Sequence, residues 1–225
     1  MRHIAIILAG GTGSRIGGQK PKQLLPLKDG RSILEHSIDA FEQAPSIDEI
    51  ALVMHPDFIE EARQLCEHNN WTKLTKIIPG GTERWESSWH AILAYMDSNL
   101  EHAALWFHDA ARPFVSQRIL SDVAEALETH KAVSVAVPVT DTLYKVYSQK
   151  SKVESIPSRS DFMRAQTPQA FDFELVTSAY LKALAEDTPI ATDDAGIVRK
   201  FMPREPIYIV PGDEENKKIT YKEDL

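Results

Sequence analysis

An α/β architecture with a mostly parallel sheet follows from three features of the 225-residue chain. Short runs dense in Ile, Val, Leu and Ala recur along it, separated by stretches with helical spacing of apolar residues. Those runs are apolar throughout, as strands covered on both faces are. The first of them, residues 4–8, leads straight into a glycine-rich turn, Gly10-Gly11-Thr12-Gly13-Ser14-Arg15-Ile16-Gly17-Gly18. Open α/β sheets bind their ligands at such carboxyl ends of strands.

Half of the ten glycines fall in this turn, and Arg15, Lys20 and Lys22 add positive charge to it. Glycine lets backbone N–H groups face an anion with no Cβ in the way, so the turn reads as a polyphosphate cradle. Two better-known cradles do not fit. The dinucleotide fingerprint requires glycine where Ile16 stands, and the Walker pattern begun at Gly13 reaches Gly18 and then meets Gln19.

Beyond the Asp29-Gly30 turn, Ser32 and Glu35 form a capping box for a helix with Ile33, Leu34, Ser37, Ile38 and Phe41 inward. Residues 50–54 make the second strand, stopped by His55-Pro56, and a helix spans about residues 58–68. The third strand, 75–78, ends at Pro79-Gly80-Gly81, and the helix after it shows Trp85, Trp89, Ile92, Leu93 and Met96 on one face. The fourth strand, 103–107, runs into His108-Asp109-Ala110-Ala111-Arg112-Pro113. A helix over 116–130 turns Ile119, Leu120, Val123 and Leu127 inward, and a strand covers 133–139.

The rhythm then breaks. Residues 141–157 are rich in Thr, Ser, Lys and Tyr without a helical stripe. The alternation of Leu143, Lys145 and Tyr147, followed by Val153 and Ile156, predicts a hairpin arm leaving the sheet. From Phe171 a helical pattern returns with Leu175, Val176, Ala179 and Leu184, and 207–210 is a late strand. With no repeat or linker, the simplest organisation is one domain over 1–225 carrying an arm at 138–161.

A net charge of −8 argues against general nucleic-acid binding while leaving room for a local anion site. The single cysteine, Cys66, excludes an intramolecular disulfide and suits the cytoplasm. The early apolar run is too short for a signal peptide or a membrane span. Neither nucleic acid nor membrane is therefore expected as a partner.

The notable polar residues stand at strand ends: Arg15 and Lys22 after the first, Gly81, Arg84 and Ser87 after the third, Asp109 and Arg112 after the fourth. Cations grouped around one carboxylate suit a phosphorylated ligand, and Asp109 suits Mg²⁺ or a sugar hydroxyl. His108 reads as structural. Neither a zinc-like spacing nor a Gly-x-Ser-x-Gly elbow is present. By spacing, Lys217-Lys218 reads as a solvated pair.

Taken in order, these motifs, together with Pro21-Lys22-Gln23, Gly80-Gly81-Thr82-Glu83-Arg84, Pro138-Val139-Thr140-Asp141-Thr142, Gln166-Thr167-Pro168-Gln169, Thr192-Asp193-Asp194-Ala195 and Lys218-Ile219-Thr220, resemble one family over nearly the whole chain. It is the 2-C-methyl-D-erythritol 4-phosphate cytidylyltransferases of isoprenoid biosynthesis and their ribitol-5-phosphate relatives. The resemblance implies a Rossmann-like nucleotidyltransferase fold with helices on both faces of the sheet, and a homodimer that exchanges arms. It implies that CTP and a polyol phosphate give the CDP-polyol and pyrophosphate with Mg²⁺.

By the same resemblance, Ala9, Gly11 and Gly13 line the nucleotide, and Arg15, Lys22 and Lys218 act on the phosphates. Gly81, Arg84 and Ser87 stand near cytosine and ribose, with Asp109 on the ribose and metal side. Thr142, Arg159, Thr167, Thr192 and Arg112 are implied contacts of the polyol phosphate, the first two from the partner's arm. Gly10 matches the ribitol branch, whereas Ser87 and Thr192-Asp193-Asp194 match the erythritol branch. Methylerythritol phosphate is the expected acceptor, with ribitol phosphate and CDP-ribitol for cell-surface polymers as the alternative. A phosphate monoester, with a second pKa of about 6, is already mostly ionised near neutrality. The reaction therefore calls for cations rather than a general base.

Overall fold

The computed structural model describes residues 1–11, 20–98, 100–147, 152–186 and 192–224. In chain order these form β1 (Arg2–Ala9), α1 (Ile33–Glu42), β2 (Glu49–Met54), α2 (Ile59–Asn69), β3 (Leu74–Pro79), α3 (Arg84–Met96), β4 (Ala103–Asp109) and α4 (Gln117–Leu127). Then follow β5 (Ala132–Pro138), β6 (Lys145–Val146), β7 (Val153–Ser155), β8 (Met163–Asp172), α5 (Phe173–Leu184), α6 (Asp194–Phe201) and β9 (Tyr208–Pro211). The main sheet is seven-stranded in the order β3-β2-β1-β4-β8-β5-β9, parallel except for β8, which is antiparallel to both neighbours.

β1 explains the continuous apolar runs. Successive side chains leave a strand on opposite faces, so Ala5, Ile7 and Ala9 join the core under α1 and α4, while Ile4, Ile6 and Leu8 join the core under α3 and α5. Both faces are covered, so neither set can be polar. The Ser32–Glu35 capping box opens α1, and all five residues expected on its inner stripe are buried. β6 pairs antiparallel with β7 as a separate two-stranded arm.

Three elements depart from expectation. On α3 the buried residues are Ser87, Ser88, Ala91, Ile92 and Tyr95, while Leu93 and Met96 are 45% and 41% exposed. The helix is rotated so that small Ser87 meets the glycine turns at Gly10 and Gly80 and the Tyr95 phenol donates to Glu49 Oε1 at 2.7 Å. Trp89 keeps its expected inward place, packing against the core and stacking on Tyr180 of α5 with ring centroids 6.1 Å apart. Residues 163–172, for which the apolar pattern predicts no strand, form β8 near the middle of the sheet, so Phe171 belongs to this strand and α5 starts two residues later. Finally, α6 is a helix that the apolar pattern did not mark; Asp193 caps it by accepting the Gly196 N–H at 2.8 Å.

The β4–β8 ladder has its last backbone pair at Phe107 and Gln169, and side chains continue the contact. Thr167 Oγ1 accepts the Asp109 N–H at 3.1 Å, so its hydroxyl proton faces His108 Nδ1, also at 3.1 Å. The other ring nitrogen, Nε2, then carries the proton and donates to the Arg112 carbonyl at 3.0 Å. Burial pushes this imidazole down to about 4. An unfolded histidine titrates near 6.5, so unfolding takes up a proton between the two values. Stability should fall as pH drops through that window, by roughly 3 kcal/mol in full. Urea unfolding from pH 7 to 4.5 is expected to show this slope reduced in His108→Gln. His3, also lowered chiefly by burial, leaves a residual slope of the same sign. An undiminished slope in the variant would show that His108 is not held neutral.

Candidate active site

The chain passes from β3 through α3 to β4 on the far side of β1, so strand order reverses at the β1–β4 junction. A cavity of about 360 Å³ opens there, at the carboxyl ends of β1, β3 and β4. Gly10, Gly11, Lys22, Gly81, Arg84, Ser87, Asp109 and Lys218 line it, together with Gln23, Thr82, Glu83 and Thr220. Residues from three strand ends, one early turn and the C-terminal segment thus meet at one crevice.

Asp109 is its electrostatic centre. Arg84 Nε donates to Oδ1 at 3.2 Å and Lys218 Nζ to Oδ2 at 2.7 Å. Arg84 Nη1 also donates to Oδ2 of the fully buried Asp194 at 2.7 Å, and the Tyr180 hydroxyl donates to Asp194 Oδ1 at 2.6 Å. Asp194, Arg84, Asp109 and Lys218 therefore alternate in sign along one chain of contacts. Burial alone would raise the Asp109 carboxyl, but Arg84 and Lys218 outweigh it and hold it well below the usual carboxylate range. Burial likewise opposes the Arg84 charge, and Asp194 and Asp109 more than restore it.

The turn after β3 is shaped by Glu86. Its Oε2 accepts the N–H groups of Thr82 at 2.7 Å and Glu83 at 3.0 Å, and also the Thr82 hydroxyl. A Cβ on Gly81 would lie 2.3 Å from Glu86 Cβ, so only glycine lets the turn pass this close. The Gly81 N–H donates to Ser87 Oγ at 3.1 Å, which fixes the serine at the cavity wall.

At the other wall, buried Gln23 donates from Nε2 to the carbonyls of Ala9 at 2.9 Å and Gly11 at 3.0 Å, pinning the end of β1 against the start of the glycine turn. Beside it, Lys22 Nζ donates to the carbonyl of Ile219 at 2.7 Å. Spacing does not mark Gln23, Glu86 or Asp194 as supports, because nothing in a lone polar side chain shows which neighbour it holds.

Of the other expected site residues, Ala9 is a buried strand residue that takes part through its carbonyl. Gly13 and Arg15 lie outside the described residues. Arg112 stands apart from the cavity lining, donating from Nη1 to the Asn216 carbonyl at 2.8 Å and from Nη2 to that of Ala165 at 3.4 Å. Thr167 is buried behind Asp109, while Thr192 is exposed just before the α6 cap. Thr142 and Arg159 are exposed near the arm, with Arg159 Nη1 donating to the Thr140 carbonyl at 2.6 Å. Among the described residues no group of three or more His, Cys, Asp or Glu gathers in a metal-holding arrangement, and no helix is long and apolar enough to cross a membrane.

Comparison with known proteins places nearly the whole chain in one family. The family described as 2-C-methyl-D-erythritol 4-phosphate cytidylyltransferase matches residues 3–225. The enzyme of that name from Thermobifida fusca is 41% identical over 227 residues, covering 100% of this chain and 90% of the relative. A bifunctional ribulose 5-phosphate reductase/CDP-ribitol pyrophosphorylase from Haemophilus influenzae is 36% identical over 224 residues, 100% of this chain but 47% of that protein. Among solved structures, the 4-diphosphocytidyl-2C-methyl-D-erythritol synthase of Anaerococcus prevotii superposes with a TM-score of 0.83 at 31% identity, covering 99% of this chain and 94% of that one. Sequence and fold agree from end to end, and the chain belongs to the 2-C-methyl-D-erythritol 4-phosphate cytidylyltransferase family.

Proposed function

We propose that the protein transfers CMP from CTP to 2-C-methyl-D-erythritol 4-phosphate, releasing CDP-methylerythritol and pyrophosphate. The observation that carries this reading is the meeting of Lys22 and Lys218, 196 positions apart in the chain, at one glycine-walled cavity beside Asp109. An oxygen of the acceptor phosphate attacks the α-phosphorus of CTP, the bond from that phosphorus to the bridging oxygen breaks, and pyrophosphate leaves. The attacking oxygen is already ionised, so no residue has to remove a proton. Buried, neutral His108, turned toward Thr167 and Arg112, suits a structural part instead.

What the chain supplies is cationic charge where anions meet. Lys22 and Lys218 serve the triphosphate, with Arg15 from the glycine turn. Gly11, Gly81, Arg84 and Ser87 form the wall for ribose and base. The donor set also fits Mg²⁺, which takes one or two carboxylates together with substrate phosphates. Asp109 would hold it, and the ion would neutralise charge on the triphosphate. Both Asp109 oxygens bear cations here, so such a role requires Lys218 Nζ to move to the phosphates.

The arm fits a second copy of the chain. Tyr144, Tyr147 and Ile156 are 61%, 54% and 62% exposed on an isolated two-stranded element, and Thr142 and Arg159 lie beside it. In a dimer with exchanged arms these apolar side chains would be covered, and the two polar ones would complete the neighbour's acceptor site. Sedimentation velocity should show a dimer, and Tyr147→Asp with Ile156→Asp should give a monomer with little turnover. A fully active monomer would refute the exchanged site.

Pyrophosphate release with CTP and Mg²⁺, run in parallel on 2-C-methyl-D-erythritol 4-phosphate and D-ribitol 5-phosphate, tests the reaction itself. Turnover on the first alone is expected. Turnover on the second alone would favour the ribitol reading, which Gly10 and the Haemophilus influenzae relative support. Silence on both would sink the assignment. Lys22→Ala should lower kcat by about 100-fold or more while KM for CTP moves far less. A pure KM effect would mean that Lys22 only binds the ground state.

A further inference from the structure

We propose that Asn216 is the positioning residue for Lys218, tying the irregular C-terminal segment to β8 and so setting where Lys218 Nζ meets Asp109. The inference rests on the reading of Lys218 as a phosphate-site lysine.

Residues 217–220 belong to no helix or strand, so no backbone ladder fixes them. Two anchors do. Ile219 is fully buried, and its N–H donates to the Ala111 carbonyl at 2.8 Å. Asn216 is fully buried on the other side of Lys218. Its Nδ2 spends both protons on β8, on Gln166 Oε1 at 3.1 Å and on the Thr167 carbonyl at 2.9 Å. Its own carbonyl accepts from Arg112 Nη1 at 2.8 Å.

The partners are what make this more than a loop tether. Thr167 takes Asn216 through its carbonyl and the Asp109 N–H through its hydroxyl. One residue of β8 therefore references both ends of the Lys218–Asp109 ion pair. Gln166 is itself nearly buried and held by its own amide proton to the Asp213 carbonyl at 2.7 Å, so the reference is rigid. A side chain without these donors takes from the Thr167 carbonyl its bond to Asn216, leaves Gln166 Oε1 only the long 3.3 Å bond from the Asp213 N–H, and frees the segment on one side of Lys218. Displacement of a catalytic group by about 1 Å costs on the order of 100-fold in rate. Arg112 enters the same knot, which gives that guanidinium a task in the free protein away from the cavity.

The test is a double-mutant cycle with Asn216→Ala and Lys218→Ala, read as kcat, KM for CTP and thermal midpoint. Asn216→Ala is expected to lower kcat by about 10- to 100-fold with KM for CTP changing by less than about threefold. In the Lys218→Ala background it should cost less than about twofold more. Asn216→Ser, which can still donate one bond, should fall between wild type and Asn216→Ala, and it replaces the alanine in the cycle if that variant does not fold. Equal losses from the Asn216 change in both backgrounds would overturn the inference while leaving Lys218 intact, as would an Asn216→Ala enzyme of normal kcat. A Lys218→Ala enzyme of normal kcat would overturn the reading of Lys218 and this inference with it.

Discussion

The carboxylate of Asp109 is the point to which the site is tied. It lies at the end of a fully buried strand, takes Arg84 on one oxygen and Lys218 on the other, and has its backbone N–H fixed by Thr167. Residues from α3, β8 and the C-terminal segment are thereby held to one position on the central sheet. A charge so placed, itself largely out of water, is tolerated because it is paired on both sides. The same pairing keeps Asp109 ionised and keeps two cations ordered before any ligand arrives.

Behind this first contact, the alternation of Asp194, Arg84, Asp109 and Lys218 spreads the requirement into the core. Asp194 and Tyr180 are both fully buried, and Tyr180 stacks on Trp89 of α3. Packing between α3, α5 and α6 thus decides the direction of the Arg84 guanidinium. The glycines have a complementary task. At Gly81 the chain approaches Glu86 too closely for any side chain, and the turn so formed presents its N–H groups to Ser87 and Glu86.

The two lysines of the site reach it by unlike routes. Lys22 comes soon after the glycine run in the chain and is neighbour to Gln23, which holds the carbonyls of Ala9 and Gly11. Lys218 comes from the far end of the chain on a segment without regular structure, anchored at Asn216 and Ile219. Lys22 also donates to the Ile219 carbonyl, so the two routes are joined. The two cavity-lining lysines gain order from such fixed backbones, since a lysine is otherwise free to sample many rotamers.

Periodicity made most of the architecture legible: β1 to β5, α1, α2 and α4 lie where apolar runs, helical spacing and the capping box put them, and β6 and β7 pair where side-chain alternation predicts a hairpin. Local chemistry is enough there, because a strand covered on both faces must be apolar and a helix end must satisfy its N–H groups. It was not enough for β8, whose Gln166, Thr167 and Gln169 are buried polar residues satisfied only by partners remote in sequence. Nor could it orient α3, where the glycine turns and Glu49 outweigh two large apolar side chains. The strand-end residues Gly11, Lys22, Arg84, Ser87 and Asp109 could be named from the chain and the family resemblance. That Asp194 holds Arg84, that Gln23 holds Ala9 and Gly11 and that Lys218 stands on Asp109 was decided by the tertiary structure alone. Such supports are pairings between distant segments, and a pairing leaves no periodic trace in either partner.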